Sequence, residues 1–228
     1  TSMTKQDLNG TKLVTMDLSA KLGKEEPLVL IYHTHGSETY KKVNGKEGSV
    51  IEVGTALTKE LENVYGIKTV HDKSVYDMVD GQLDRNAAYN FAGDSVEAAL
   101  RKNPSVKVVI DLHRDSVENN IHLRTKINGK SAAQIMFFNG VSRLASKGDI
   151  GYLYNPNKEA NLAFSLQMQL LAEEEYPDLT RKIFLKGLRY NLHVRPRSAL
   201  IEVGAQTNTL EEALNAMEPL ADLLDQVL

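Results

Sequence analysis

Three short polar clusters in the chain carry side chains suited to chemistry, and each follows an apolar run. They are "LVLIYHTHGSETY" with His33, His35 and Glu38, "VKVVIDLHRDS" with His113 and Arg114, and "SALIEVG" with Glu202. The H-x-x-E spacing of His35 and Glu38 lets an imidazole and a carboxylate from one turn reach the same ion. His113 would complete a His, Glu, His set and leave the fourth position of a tetrahedral zinc to water. The ligand types suit Zn2+, with geometry and availability deciding among divalent metals. The sequence has no cysteine, so thiolate sites and disulfides are excluded and any metal must be held by His, Asp or Glu. His33 is open to three readings: a partner that orients a ligand, a substrate contact, or a ligand itself. His71 and His122 have no comparable setting and read as structural or exposed. His193, in "RYNLHVRPR", lies a few residues before the Glu202 segment.

Such clusters become neighbours only if the elements before them are arranged side by side. Short apolar runs bounded by polar turns read as interior strands of an α/β sheet, where ligands bind at the strand ends. Strands are predicted at "LVLIY", "IKTVHD", "VKVVIDLHRDS", "AAQIMFFNG" and "SALIEVG". Between them, "SVIEVGTALTKELENVYG" places apolar residues at 50, 53, 57, 61 and 64, one face of a helix closed by Gly66. "DSVEAALRKNP" predicts a helix with Asp94 or Ser95 as N-cap and Pro104 as its stop, "EANLAFSLQMQLLAEEEYP" a long amphipathic helix, and "TLEEALNAMEPLADLLDQVL" a closing one. Strands alternating with helices predict an α/β fold with a mostly parallel central sheet and helices on both faces. In that arrangement the ends of the three polar-tipped strands share one edge.

The 228 residues, 42% of them hydrophobic, suffice for one sizeable core. Residues 1–26 are polar and weakly periodic. They read as a tag remnant, "TSM", and a linker, with "TKLVTMDLSAKL" the one candidate element, ahead of a single catalytic domain over 27–228. A net charge of −3 gives no basic face and so no expectation of nucleic acid as a partner. No apolar run spans a bilayer and no signal peptide opens the sequence, although the scar implies trimming that would remove an N-terminal anchor.

"YHTHGSETY", "VIDLHRDS" and "LIEVGAQTNTLEEA", in this order, resemble the signature segments of the stage II sporulation protein P family of endospore formers. That family is similar to zinc-dependent N-acetylmuramoyl-L-alanine amidases. Their opening strand ends in histidine and glycine, as at His35 and Gly36, and their closing strand carries the pattern of Glu202, Gly204 and Asn208. The broader amidases take a metal carboxylate from the start of the first helix, where this chain has Glu47 and Glu52, whereas Glu38 follows a carboxypeptidase-like H-x-x-E spacing. The resemblance implies peptidoglycan as substrate, cleavage of the amide between N-acetylmuramic acid and L-alanine, and endopeptidase action on stem-peptide crosslinks. It also implies a membrane-anchored, extracytoplasmic protein of the sporulation septum, between its two membranes, with septal partners that include a lytic transglycosylase. In such an enzyme Glu202 is the general acid and base. Arg114, Arg189, Arg195, Arg197 and His193 are candidates for substrate carboxylates or a developing oxyanion, with Arg114, Arg189 and His193 preferred. A zinc carboxypeptidase-like peptidase and a peptidoglycan-binding module without turnover are the competing readings.

Overall fold

The computed structural model describes residue 3, residues 8–20 and residues 25–228. Thr1 and Ser2 of the expected scar, and Lys21 and Leu22 of the expected early element, lie outside the described residues. The central sheet is built from β1 (Val29–Tyr32), β2 (Thr69–His71), β3 (Val108–Asp115), β4 (Ile135–Gly140), β5 (Phe184–Lys186) and β6 (Ser198–Ala205). Their spatial order is β5-β4-β6-β3-β1-β2. The strands β2, β1, β3 and β6 run parallel to one another, while β4 is antiparallel to β6 and carries β5 alongside it in parallel. The sheet is thus mostly parallel, with a reversed pair at one edge.

Helices cover both faces, and strand alternation divides the residues between them. Val29 and Ile31 of β1 and Val108, Ile110 and Leu112 of β3 pack into one large core. That core also takes Val50, Val53, Leu57 and Leu61 of α2 (Val50–Asn63), together with buried residues of α4 (Lys158–Glu175), α5 (Leu210–Asn215) and α6 (Met217–Val227). Leu30, Tyr32 and Val109 point the other way and meet Ala92, Val96 and Leu100 of α3 (Arg85–Lys102). Asp111 and His113 have the parity of Val109, so both face the α3 side, and Glu202 joins them by pairing with His113 in register. A short α1 (Gly10–Thr15), capped by the Asn9 side chain, places Leu13 in the large core, where Leu18 follows it.

Two helices differ from their sequence expectations. The helix α3 begins at Asp84, whose carboxylate accepts hydrogen bonds from the backbone N–H groups of Asn86 and Ala87, so the cap is ten residues earlier than Asp94. Ser95 instead donates to Asp72. The closing helix is two, α5 and α6, joined at Ala216. Val64, placed on the apolar face of α2 by its spacing, is exposed at the helix end.

The same alternation sends His33 to the α2 side. Its Nδ1 donates to the Leu112 carbonyl at 2.8 Å, which leaves Nε2 to accept from His71 Nε2 at 2.9 Å. Burial lowers both imidazoles to about 4, so the pair is neutral at pH 7. Gly54 of α2 lies directly over them: a Cβ there would stand 2.7 Å from His33 Cε1 and Nε2 and from His71 Nε2. Gly54→Ala should therefore lower stability by about 1–3 kcal/mol, measured by chemical denaturation. A second outcome concerns pH. Because the folded values lie below the ordinary histidine value near 6.5, the unfolded chain binds protons first on acidification. Stability should thus fall as pH drops from about 6.5 toward 4, and His71→Gln should show a shallower fall over that window.

Candidate metal and catalytic site

The turn after β1 is fixed by its small polar residues. Thr34 donates twice to the buried Asp111 carboxylate, from its N–H to Oδ1 at 2.9 Å and from its hydroxyl to Oδ2 at 2.7 Å. Ser37 does the same to the buried Asp77, at 3.1 and 2.6 Å. The Glu38 N–H closes the turn on the His35 carbonyl at 3.1 Å. Gly36 passes within 3.0 Å, at its virtual Cβ, of the Ser74 carbonyl, a space that resists a side chain. Held in this way, His35 and Glu38 meet His113 from β3: one ligand-type atom from each lies within 4.8 Å of the others.

The separations suit a metal. Ligand atoms about 2.1 Å from a tetrahedral zinc stand roughly 3.4 Å apart. His35 Nδ1 is 3.6 Å from Glu38 Oε1, and His113 Nδ1 is 3.5 Å from Glu38 Oε2. The far nitrogen of His113, Nε2, lies 2.8 Å from Asp111 Oδ1, the carboxylate contact that orients metal-binding imidazoles elsewhere in proteins. His35 Nε2 is buried without a hydrogen-bond partner. The three side chains therefore fit a zinc ion. Glu38, itself buried, also accepts the Arg114 N–H at 3.2 Å and has Arg85 Nη1 3.5 Å from Oε1. Despite its burial, hydrogen bonds from His113 and His35, the charge of His113 and the Arg114 N–H hold its carboxyl far below the usual range.

Glu202 has the opposite electrostatics. Its Oε2 is buried and makes no hydrogen bond. Burial, then the charges of Glu38, Asp115 and Asp111, push its carboxyl up to about 7, against the lowering effect of His113. A carboxylate poised near neutrality beside a metal-type cluster is suited to taking and returning a proton.

The stage II sporulation protein P family model matches residues 1–225. The chain belongs to that family. It is 27% identical over 219 residues to the stage II sporulation protein P of Bacillus subtilis (strain 168), covering 89% of this chain and 51% of that protein, so it spans about half the length of the relative. Among solved structures it is similar to the N-acetylmuramoyl-L-alanine amidase AmiC2 of Nostoc punctiforme, at 13% identity, 91% and 96% coverage and a TM-score of 0.48. It is also similar to an N-acetylmuramoyl-L-alanine amidase from Clostridium difficile 630, at 18% identity, 89% and 94% coverage and a TM-score of 0.48.

The other sequence candidates in this family member fall elsewhere. Glu47 is exposed and accepts from the Thr39 hydroxyl, and Glu52 closes a capping box with Ser49 at the start of α2, so neither joins the cluster. The Arg114 guanidinium donates to the carbonyls of Thr39, at 2.6 Å, and Asp115, at 3.0 Å, and so braces the His35–Glu38 turn. His193 lies with Arg195 in a recess of about 320 Å³ shared with Glu97 and Arg101, toward the far end of α3 from Arg85. Arg197 sits in the left-handed region just before β6, with a buried Nε, and Arg189 lies beside Gly140 in the turn that carries Tyr190. His33 is in the buried pair described above. Two residues that the sequence did not single out stand at the cluster instead: Arg85, and Tyr89, whose ring lies edge-on to His35 at 5.5 Å. Their signal was Asp84, a cap whose helix has too few apolar residues at its start to show a period.

The Glu202, Gly204, Asn208 pattern acts as a support. Gly204 has φ +59, and a Cβ on it would meet Asn208 Oδ1 at 2.7 Å. Asn208 accepts from the Ala205 N–H at 2.9 Å and donates to the Leu123 carbonyl at 2.9 Å and to Glu212 at 3.1 Å. His122 and Ser131 complete the ring around Glu212, at 2.8 and 3.0 Å. Asn208→Ala should cost about 1–3 kcal/mol in thermal or chemical unfolding, since it leaves buried groups unpaired at the end of the strand that carries Glu202. It should reduce activity without removing bound metal.

Proposed function

We propose that the chain is a zinc-dependent peptidoglycan hydrolase of spore formation that cleaves the amide between N-acetylmuramic acid and L-alanine. The observation that carries this reading is the convergence of His35, Glu38 and His113 beside a buried Glu202 raised to about 7, in a chain of the stage II sporulation protein P family. His35, Glu38 and His113 hold the ion in this proposal. When bound, zinc makes water acidic enough to attack at neutral pH and polarises a carbonyl. Glu202 takes a proton from the attacking water at Oε2 and returns it to the amine as the C–N bond breaks, which yields a carboxylate and a free stem peptide. Asp111 keeps the His113 ring turned toward Glu38.

Peptidoglycan lies outside the cytoplasmic membrane, so in this proposal the protein acts extracytoplasmically, at the sporulation septum. No helix among the described residues is long and apolar enough to cross a membrane. Membrane anchoring enters this proposal through the family resemblance alone. A transglycosylase that cuts glycan strands would act on the denuded product, which makes it the natural partner.

Four variants test the assignment. His113→Ala and Glu38→Gln should lose zinc by elemental analysis and lose activity with it. Glu47→Gln should keep both. Glu202→Gln should keep its zinc and still bind substrate, while turnover falls by about 10² to 10⁴. Mass spectrometry of digested peptidoglycan reads the bond cut, and conversion of crosslinked dimers to monomers reads the endopeptidase activity. Full turnover by zinc-loaded Glu202→Gln would sink the proposed base.

A further inference from the structure

The first turns of α3 bring two donors to the cluster from the side opposite the sheet. Arg85 and Tyr89 are four residues apart and so share a helix face. Arg85 Nη1 stands 3.5 Å from Glu38 Oε1, yet the side chain is 44% exposed and so meets both the cluster and solvent. Tyr89 packs edge-on against His35 at 5.5 Å, and its hydroxyl makes no hydrogen bond among the described residues. Behind it, Tyr190 packs edge-on at 5.5 Å and rests in turn on Phe138 at 4.8 Å. Asn191 Nδ2 donates to the Tyr89 carbonyl at 2.7 Å, across a helix surface kept low by Gly93, whose virtual Cβ is 3.3 Å from that amide. This is a well-braced ring with an unused donor.

We propose that Tyr89 and Arg85 bind the scissile carbonyl oxygen and stabilise the negative charge that develops on it. This rests on the amide-hydrolase reading above. As the water oxygen bonds to the carbonyl carbon, the C=O electron pair moves onto oxygen, where the Tyr89 hydroxyl and the Arg85 guanidinium donate to it. Collapse of that adduct breaks the C–N bond, and the proton held by Glu202 goes to the leaving amine. Donors placed on the helix side and a base on the strand side leave the carbonyl carbon between them. Such donors matter most in the transition state, so their loss acts on kcat more than on KM.

The test uses the zinc-loaded protein with N-acetylmuramoyl-peptide as substrate and its phosphinate analogue, a stable tetrahedral anion, as binding probe. Tyr89→Phe keeps the ring and removes only the hydroxyl. It should lower kcat by about 10²-fold, with KM, zinc content and thermal midpoint little changed, and should weaken phosphinate binding by a similar factor. Arg85→Gln should do likewise, with Arg85→Lys recovering part of both. If Arg85 only balances the charge of Glu38, its loss would change zinc affinity and leave phosphinate binding intact, which overturns its share of the proposal. Wild-type protein that cleaves the substrate, with both variants matching it in kcat and phosphinate affinity, overturns the whole inference. Zinc-loaded wild type with no turnover overturns the amide-hydrolase reading instead.

Discussion

A carboxylate with no solvent access must be paired or lose its charge, and Asp111 meets that constraint with three partners from two segments. Thr34 supplies an N–H and a hydroxyl, and His113 supplies an imidazole. The two residues that supply these groups belong to different segments, so satisfying one buried charge sets both the exit angle of the chain after β1 and the rotation of His113. Burial resists ionisation of Asp111, yet the His113 charge and these hydrogen bonds hold its carboxyl below the ordinary range. The position of Glu38 follows from that exit angle, and the turn that carries it is tied down again by Ser37 on Asp77 and by Arg114 on the Thr39 carbonyl.

Two carboxylates that feel each other's charge are thereby driven in opposite directions. Glu38 is surrounded by donors and kept ionised, while Glu202 has no donor on Oε2 and is raised toward neutrality. The proposed roles, a carboxylate that holds a cation and one that exchanges a proton, call for that contrast. Glu38 meets His35 from its own turn and His113 and the Arg114 N–H from β3, while Glu202, opposite His113 in register, leaves Oε2 without a donor.

The parts most visible in the sequence were those with a short period or a short spacing. The apolar runs of β1, β3 and β6 are buried on both faces, so they stand out as uninterrupted, and the polar residues at their ends mark the site. His35, Glu38 and His113 could be grouped from chain order and parallel topology alone. The role of His33 could not, because it depends on which face the residue takes, and the alternation assigns it to α2. Nor could Arg85 and Tyr89 be found, since the start of α3 is signalled by one capping aspartate and not by periodicity. The reversal of β4 also lay outside the pattern: an apolar strand reads the same in either direction. The arginines drew attention through charge, but a guanidinium serves a backbone carbonyl as readily as a ligand, and Arg114 does so.

The parallel pairing of β1, β3 and β6 has a consequence for biogenesis. These neighbours are well separated along the chain, so the contacts that unite the cluster with Glu202 are long-range ones. Local structure cannot assemble them in advance, and closing such long loops is a slow part of folding. During synthesis, a chain from which β6 has not yet emerged has His35, Glu38 and His113 but no Glu202 opposite them. The four side chains therefore come together only once that strand is in place.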